Sequence, residues 1–97
     1  MSMADRDGVI WYDGKMVPWR DATTHVMSHA LHYGSSVFEG IRCYETQDGH
    51  AIFRLTDHIK RLFASAKIYD RVIPFSVDDL NAACRAVIRA NGLGRAY

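Results

Sequence analysis

The sequence predicts an α+β fold, an antiparallel β-sheet with helices packed on one face. Three observations lead there. Two Asp-Gly pairs, Asp13-Gly14 and Asp48-Gly49, each lie between short runs of β-forming residues. Beyond Arg54 the apolar residues change from strand spacing to helical spacing. Two such helical stretches then follow one another, so the order is hairpin, hairpin, helix, helix.

The first hairpin joins Val9-Ile10-Trp11-Tyr12 to Met16-Val17-Pro18-Trp19. Asp-Gly supplies the positive φ angles of a tight turn. Pro18 cannot donate to a ladder, which places it at an edge or a strand end. The next strand is expected over Ser36–Tyr44, with Asp48-Gly49 turning the chain into Ala51-Ile52-Phe53-Arg54. Gly40 inside that strand marks a bulge or a place where a ligand approaches the backbone. Ile59, Leu62, Phe63, Ala66 and Tyr69 define the first long helix, with Thr56 or Asp57 as its N-cap. Ser76-Val77-Asp78-Asp79 resembles a capping box with Asp in the Glu position. Leu80, Ala83, Cys84, Val87 and Ile88 form the apolar face of the second helix, and Asn91-Gly92 stops it. Arg95-Ala96-Tyr97 reads as the entrance of a further strand, so the chain is expected to be a piece of a longer protein.

Composition narrows the function classes. The 97 residues fit one domain or part of one, and 48% hydrophobic with 24% charged residues is the balance of a soluble globular protein. The net charge of +1 comes from interspersed charges, with no basic stripe to suggest a nucleic-acid partner. No stretch approaches the roughly 18 apolar residues of a membrane span. The start of the chain has no apolar signal-peptide core, so a cytoplasmic location is expected. Cys43 and Cys84 are read as two reduced, partly buried thiols.

Three features are candidates for chemistry. His25, His29 and His32 recur at intervals of four and three, as zinc ligands on a helix can. There is no glutamate in an H-E-x-x-H arrangement, and packing or polar histidines around a turn are the preferred reading. Arg61 could grip a phosphate through paired hydrogen bonds, but composition alone would leave it a solvated helix charge. In Phe38-Glu39-Gly40-Ile41-Arg42, a period of two puts Phe38, Gly40 and Arg42 on one face and Glu39 and Ile41 on the other. That pattern serves a substrate wall or a half-buried strand equally well.

Taken together, HALHYGSSVFEGIRCY, then FR, then DHIKRLFASAKIY, preceded by WYDGKMVPW and DATTHVMSH, resemble the bacterial branched-chain amino acid aminotransferases of pyridoxal-phosphate (PLP) fold type IV. The resemblance runs from about Val9 to Tyr97. It implies that residues 1–97 are the small N-terminal domain, incomplete, with the domain bearing the cofactor's lysine lying beyond. Lys15, Lys60 and Lys67 do not match that lysine, so the segment alone would be inactive. It implies that Arg61 binds the PLP phosphate. Phe38 and Gly40 would belong to the apolar substrate pocket, with Arg42 on the same strand. Tyr97 would line the pocket and help hold the substrate carboxylate, and Tyr33 would reach the neighbouring subunit's site. The implied activity moves the amino group between Leu, Ile or Val and 2-oxoglutarate. Its partners would be amino acids, 2-oxo acids and further copies of the chain in a homodimer or larger oligomer. The alternatives are another fold-type-IV enzyme, such as a D-amino-acid aminotransferase, or a noncatalytic interaction module. FEGIR favours the branched-chain members.

Overall fold

A computed structural model describes residues 2–97. Strands β1 (Val9–Tyr12) and β2 (Lys15–Pro18) pair antiparallel, with Trp11 opposite Met16. Asp13 at φ 49° and Gly14 at φ 94° make the turn expected of Asp-Gly. Pro18 ends its strand opposite Val9, where no donor is missed. A single 3-10 turn, Trp19–Asp21, and the short helix α1 (His29–Tyr33) follow. Strands β3 (Cys43–Thr46) and β4 (Gly49–Ile52) form the second hairpin. Helices α2 (Leu55–Ile68) and α3 (Val77–Ala90) complete the order. The α+β class with antiparallel pairing is therefore the observed one, built as two separate two-stranded ladders.

The core sits where both hairpins meet the two long helices. Leu55 and Ile59 of α2 and Leu80 of α3 are its buried centre. Trp11 of β1, Ile52 of β4, Ile41 and Phe75 pack around them. The Trp11 and Phe75 rings meet edge to face at 5.0 Å, an arrangement their quadrupoles favour. Asn91 ties the end of α3 to β1. Its Nδ2 donates to the carbonyls of Val9 and Val87, and its Oδ1 accepts from the Val9 amide, each at 2.9 Å.

Two local expectations are corrected. The strand expected over Ser36–Tyr44 is paired only from Cys43. Residues 37–42 find no neighbouring strand among the described residues, so they make no ladder of their own. Only the Arg42 carbonyl, which accepts from Phe53 N–H at 2.9 Å, extends the hairpin. On its other side Cys43 exchanges both backbone bonds with Ala96, at 2.9 and 3.2 Å, so the strand entrance read at Arg95–Tyr97 is a single bridge. The second correction concerns the start of α2. Neither Thr56 nor Asp57 caps it. Arg54 does so in the left-handed region, φ 51°, without a side-chain cap, because Phe53-Arg54 must turn the chain sharply out of β4. At α3, by contrast, Ser76 and Asp79 form the complete reciprocal box.

Candidate functional site

Residues 37–42 carry Phe38, Gly40 and Arg42 of the candidate site, and their side chains alternate even without a ladder. Ile41 enters the core and Glu39 turns toward α2, whereas Phe38 and Arg42 are exposed. Gly40 and Arg42 meet one aromatic ring, that of Tyr97. A Cβ at Gly40 would collide with the Tyr97 hydroxyl and lie 3.1 Å from its Cζ, so the ring stands in the space a side chain here would take. The Arg42 guanidinium lies over the same ring, 4.9 Å from its centroid, within cation–π range. The bridge of Ala96 to Cys43 sets Tyr97 in this position. Phe38 and Tyr97 also border an open, largely apolar groove of about 550 Å³ that runs between β1, α3 and residues 37–41.

Arg61 stands apart from that ring cluster, on α2, and is held by Glu39. Its Nε donates to the two carboxylate oxygens at 3.0 and 2.8 Å, and its Nη2 donates to Oε1 at 2.7 Å. His58, one turn earlier on the same helix, places Nδ1 2.8 Å from the same oxygen. A carboxylate only accepts, so that nitrogen carries the proton. The Glu39 side chain is 8% exposed and that of Arg61 66%. The Arg61 hydrogen bonds, then that of His58, hold the Glu39 carboxyl down at about 2, and burial opposes them. The same carboxylate pushes the Arg61 guanidinium up.

Six residues were singled out in the sequence. Gly40, Arg42 and Tyr97 come together, Phe38 joins Tyr97 along the groove, and Arg61 lies on the far side of the extended segment with Glu39. Tyr33 is on α1, three-quarters exposed, with its ring 4.6 Å from that of His29. It makes no hydrogen bond to the other five among the described residues. Sequence reasoning missed Glu39 and His58 as members of the site. The period of two had put Glu39 on the face opposite Phe38, but nothing local told which helix that face meets. His25, His29 and His32 do not converge. His25 lies before α1 and accepts from the Met27 amide, and His29 contacts Ser35 and Arg71. Cys84 is half-buried, which pushes its thiol up, and Cys43 is buried; both are free. No helix of the described residues is long and apolar enough to cross a membrane.

This arrangement has close counterparts. The chain is 63% identical over all 97 residues to a branched-chain-amino-acid aminotransferase of Pseudomonas aeruginosa and spans 32% of that protein's length. It superposes on the crystal structure of the Escherichia coli branched-chain amino acid aminotransferase with a TM-score of 0.92 and 55% identity, covering 95% of this chain and 30% of that one. The T.th. branched-chain amino acid aminotransferase complexed with N-(5'-phosphopyridoxyl)-L-glutamate gives a TM-score of 0.90 at 52% identity, over 93% of this chain and 31% of that one. Residues 36–97, which hold Phe38, Glu39, Gly40, Arg42, Arg61 and Tyr97, match the family model described as amino-transferase class IV. The chain belongs to the class IV amino-transferases.

Proposed function

We propose that this chain is the small N-terminal domain of a PLP-dependent branched-chain amino acid aminotransferase. The enzyme moves the amino group between Leu, Ile or Val and 2-oxoglutarate. The observation that carries this reading is the meeting of Tyr97, Gly40 and Arg42 beside the exposed ring of Phe38. An amino acid with an apolar side chain needs an apolar wall next to a carboxylate-binding group. Phe38 supplies the wall, and the Tyr97 hydroxyl and the Arg42 cation supply the polar end. Gly40 leaves the space that lets Tyr97 stand against the backbone. A pocket wall of this kind separates neighbouring aliphatic side chains by only about 1–3 kcal/mol per methylene. Tolerance among Val, Leu and Ile follows.

The residues present also fit the cofactor. A phosphate calls for a fixed cation with free donors, and the Nη1 side of Arg61 has no partner among the described residues. When bound, PLP supplies the electron sink that lets an amino group leave one carbon skeleton and join another. Arg61 would hold its phosphate end, and Tyr97 and Arg42 would orient the substrate carboxylate. The lysine that bonds the cofactor would come from the remaining sequence. α1 and the residues before it present Val26, Met27, Leu31 and Tyr33 to solvent, an apolar surface suited to a second copy of the chain. We place the enzyme in the cytoplasm as a homodimer or larger homo-oligomer, to be measured by sedimentation.

The test is amino transfer by the protein with its remaining sequence in place. L-leucine, L-isoleucine and L-valine are each expected to yield glutamate from 2-oxoglutarate, and D-alanine none. Transfer from D-alanine alone would assign the chain to a D-amino-acid enzyme, and transfer from none of the four would leave it a noncatalytic module.

A further inference from the structure

We infer that Glu39, backed by His58, is a positioning residue for Arg61, holding one edge of its guanidinium so that the other edge is presented to the phosphate of a bound cofactor. The inference rests on the proposal that Arg61 binds that phosphate. A guanidinium offers five N–H donors in a planar fork, with one edge formed by Nε and a terminal nitrogen and another by the two terminal nitrogens. Glu39 occupies the first of these, through Nε and Nη2 at 2.7–3.0 Å. Nη1 has no hydrogen-bond partner among the described residues, and beyond Glu39 the only other group near Nη2 is His58 Nδ1, at 3.5 Å.

The carboxylate is a fixed point, and the arginine on its own is not. Arg61 is two-thirds exposed on a helix surface, where a long side chain samples many rotamers. The Glu39 side chain is almost fully buried and has a second partner in His58 Nδ1 at 2.8 Å. Its backbone is anchored on the C-terminal side by Ile41 in the core and by the backbone bonds of Arg42 and Cys43. Glu39 reaches Arg61 from 22 positions away, so the contact registers the extended segment against α2. One extended segment thereby sets both ends of the site. Gly40 and Arg42 place Tyr97, and Glu39 between them places Arg61.

The sign of the effect separates positioning from simple charge. Glu39 neutralises Arg61, so if charge alone counted, removing it would strengthen phosphate binding. Positioning requires the opposite. The experiment uses the protein with its remaining sequence in place, freed of cofactor, and measures equilibrium binding of PLP and of pyridoxal, which lacks the phosphate. The ratio of the two affinities reports the phosphate contact, and pyridoxal binding reports the intact fold. Glu39→Ala is expected to lower the ratio about tenfold, the loss typical of one charge-assisted contact. Glu39→Gln keeps an acceptor oxygen and should lower it less. In an Arg61→Ala background, which loses most of the ratio, Glu39→Ala should cause no further drop. A ratio that is unchanged or raised in both Glu39 variants, with Arg61→Ala lowering it, overturns the positioning role alone. An Arg61→Ala protein that keeps its full ratio overturns the phosphate reading of Arg61, and this inference with it. If Glu39→Ala abolishes pyridoxal binding as well, the Gln variant decides.

Discussion

At the scale of single residues, two positions have roles that their neighbours impose. Gly40 leaves room for the Tyr97 ring, which lies against its Cα side. Gly40→Ala must displace that ring, and because Tyr97 is 82% exposed the ring can turn away without overpacking the core. Because Tyr97 also carries Arg42, the damage should fall on substrate rather than cofactor. On the proposed function, the expected result is a fall of more than about tenfold in kcat/KM for leucine, with PLP affinity unchanged, since about 1.4 kcal/mol is a factor of ten. Equal loss of both would show that the substitution acts on the fold. Glu39 gives a pH prediction. Its carboxyl is held at about 2 against an ordinary 4.5, chiefly by Arg61 and then by His58. A lowered acid pKa means the pair stabilises the fold fully above the ordinary range and loses that contribution as pH falls from there toward about 2. A carbon NMR titration of the Glu39 carboxyl should show no transition between pH 4 and 5, about where an unperturbed glutamate titrates. A midpoint there would mean that the Arg61 contact does not persist in solution.

The elements show how the two long helices begin by different means. α3 starts with a reciprocal cap, in which the Ser76 hydroxyl accepts from Asp79 N–H and the Asp79 carboxylate accepts from Ser76 N–H, both at 3.0 Å. Ser76→Ala should cost about 0.5–2 kcal/mol, read as faster amide exchange in the first turn of α3. α2 starts at Arg54 in a left-handed conformation, which costs a side chain about 1–2 kcal/mol. Arg54→Gly removes that strain and gives up the exposed Arg54–Asp57 bridge, worth at most about 1 kcal/mol. Strain relief exceeds the bridge, so exchange at the His58 amide, which donates to the Arg54 carbonyl, should slow. Faster exchange would mean that the Arg54–Asp57 contact contributes more than an exposed pair normally does.

The whole molecule exposes more apolar surface than its small core explains. Leu55, Ile59 and Leu80 centre the core, yet Phe38, Tyr97, Ile68 and Val72 are all more than four-fifths exposed. Phe38 and Tyr97 also border the apolar groove. The chain spans 32% of the length of its Pseudomonas aeruginosa relative, and the proposal that it is one domain of a longer enzyme has a direct consequence. The 97-residue chain prepared alone should bind a hydrophobic dye strongly and aggregate without a fixed stoichiometry, whereas the longer protein should leave the dye dark and form one defined homo-oligomer. A soluble monomer of 97 residues that leaves the dye dark would favour a self-sufficient module.

Local sequence was enough for whatever depends on neighbours along the chain. The Asp13-Gly14 turn, the Ser76–Asp79 cap, the Asn91-Gly92 stop and the apolar faces of α2 and α3 were legible because propensity, capping and period act over a few residues. FEGIR and the DHIKR stretch within α2 were specific enough to point to the family, and the alternation within FEGIR correctly divided its two faces. Tertiary structure decided what those faces meet. No spacing rule states that Glu39 finds Arg61 across 22 positions, that Tyr97 closes on Gly40 across 57, or that residues 37–42 lie extended without a ladder. A strand is completed by hydrogen bonds to another segment, and an ion pair by a distant side chain. Both therefore follow from the packing of whole elements.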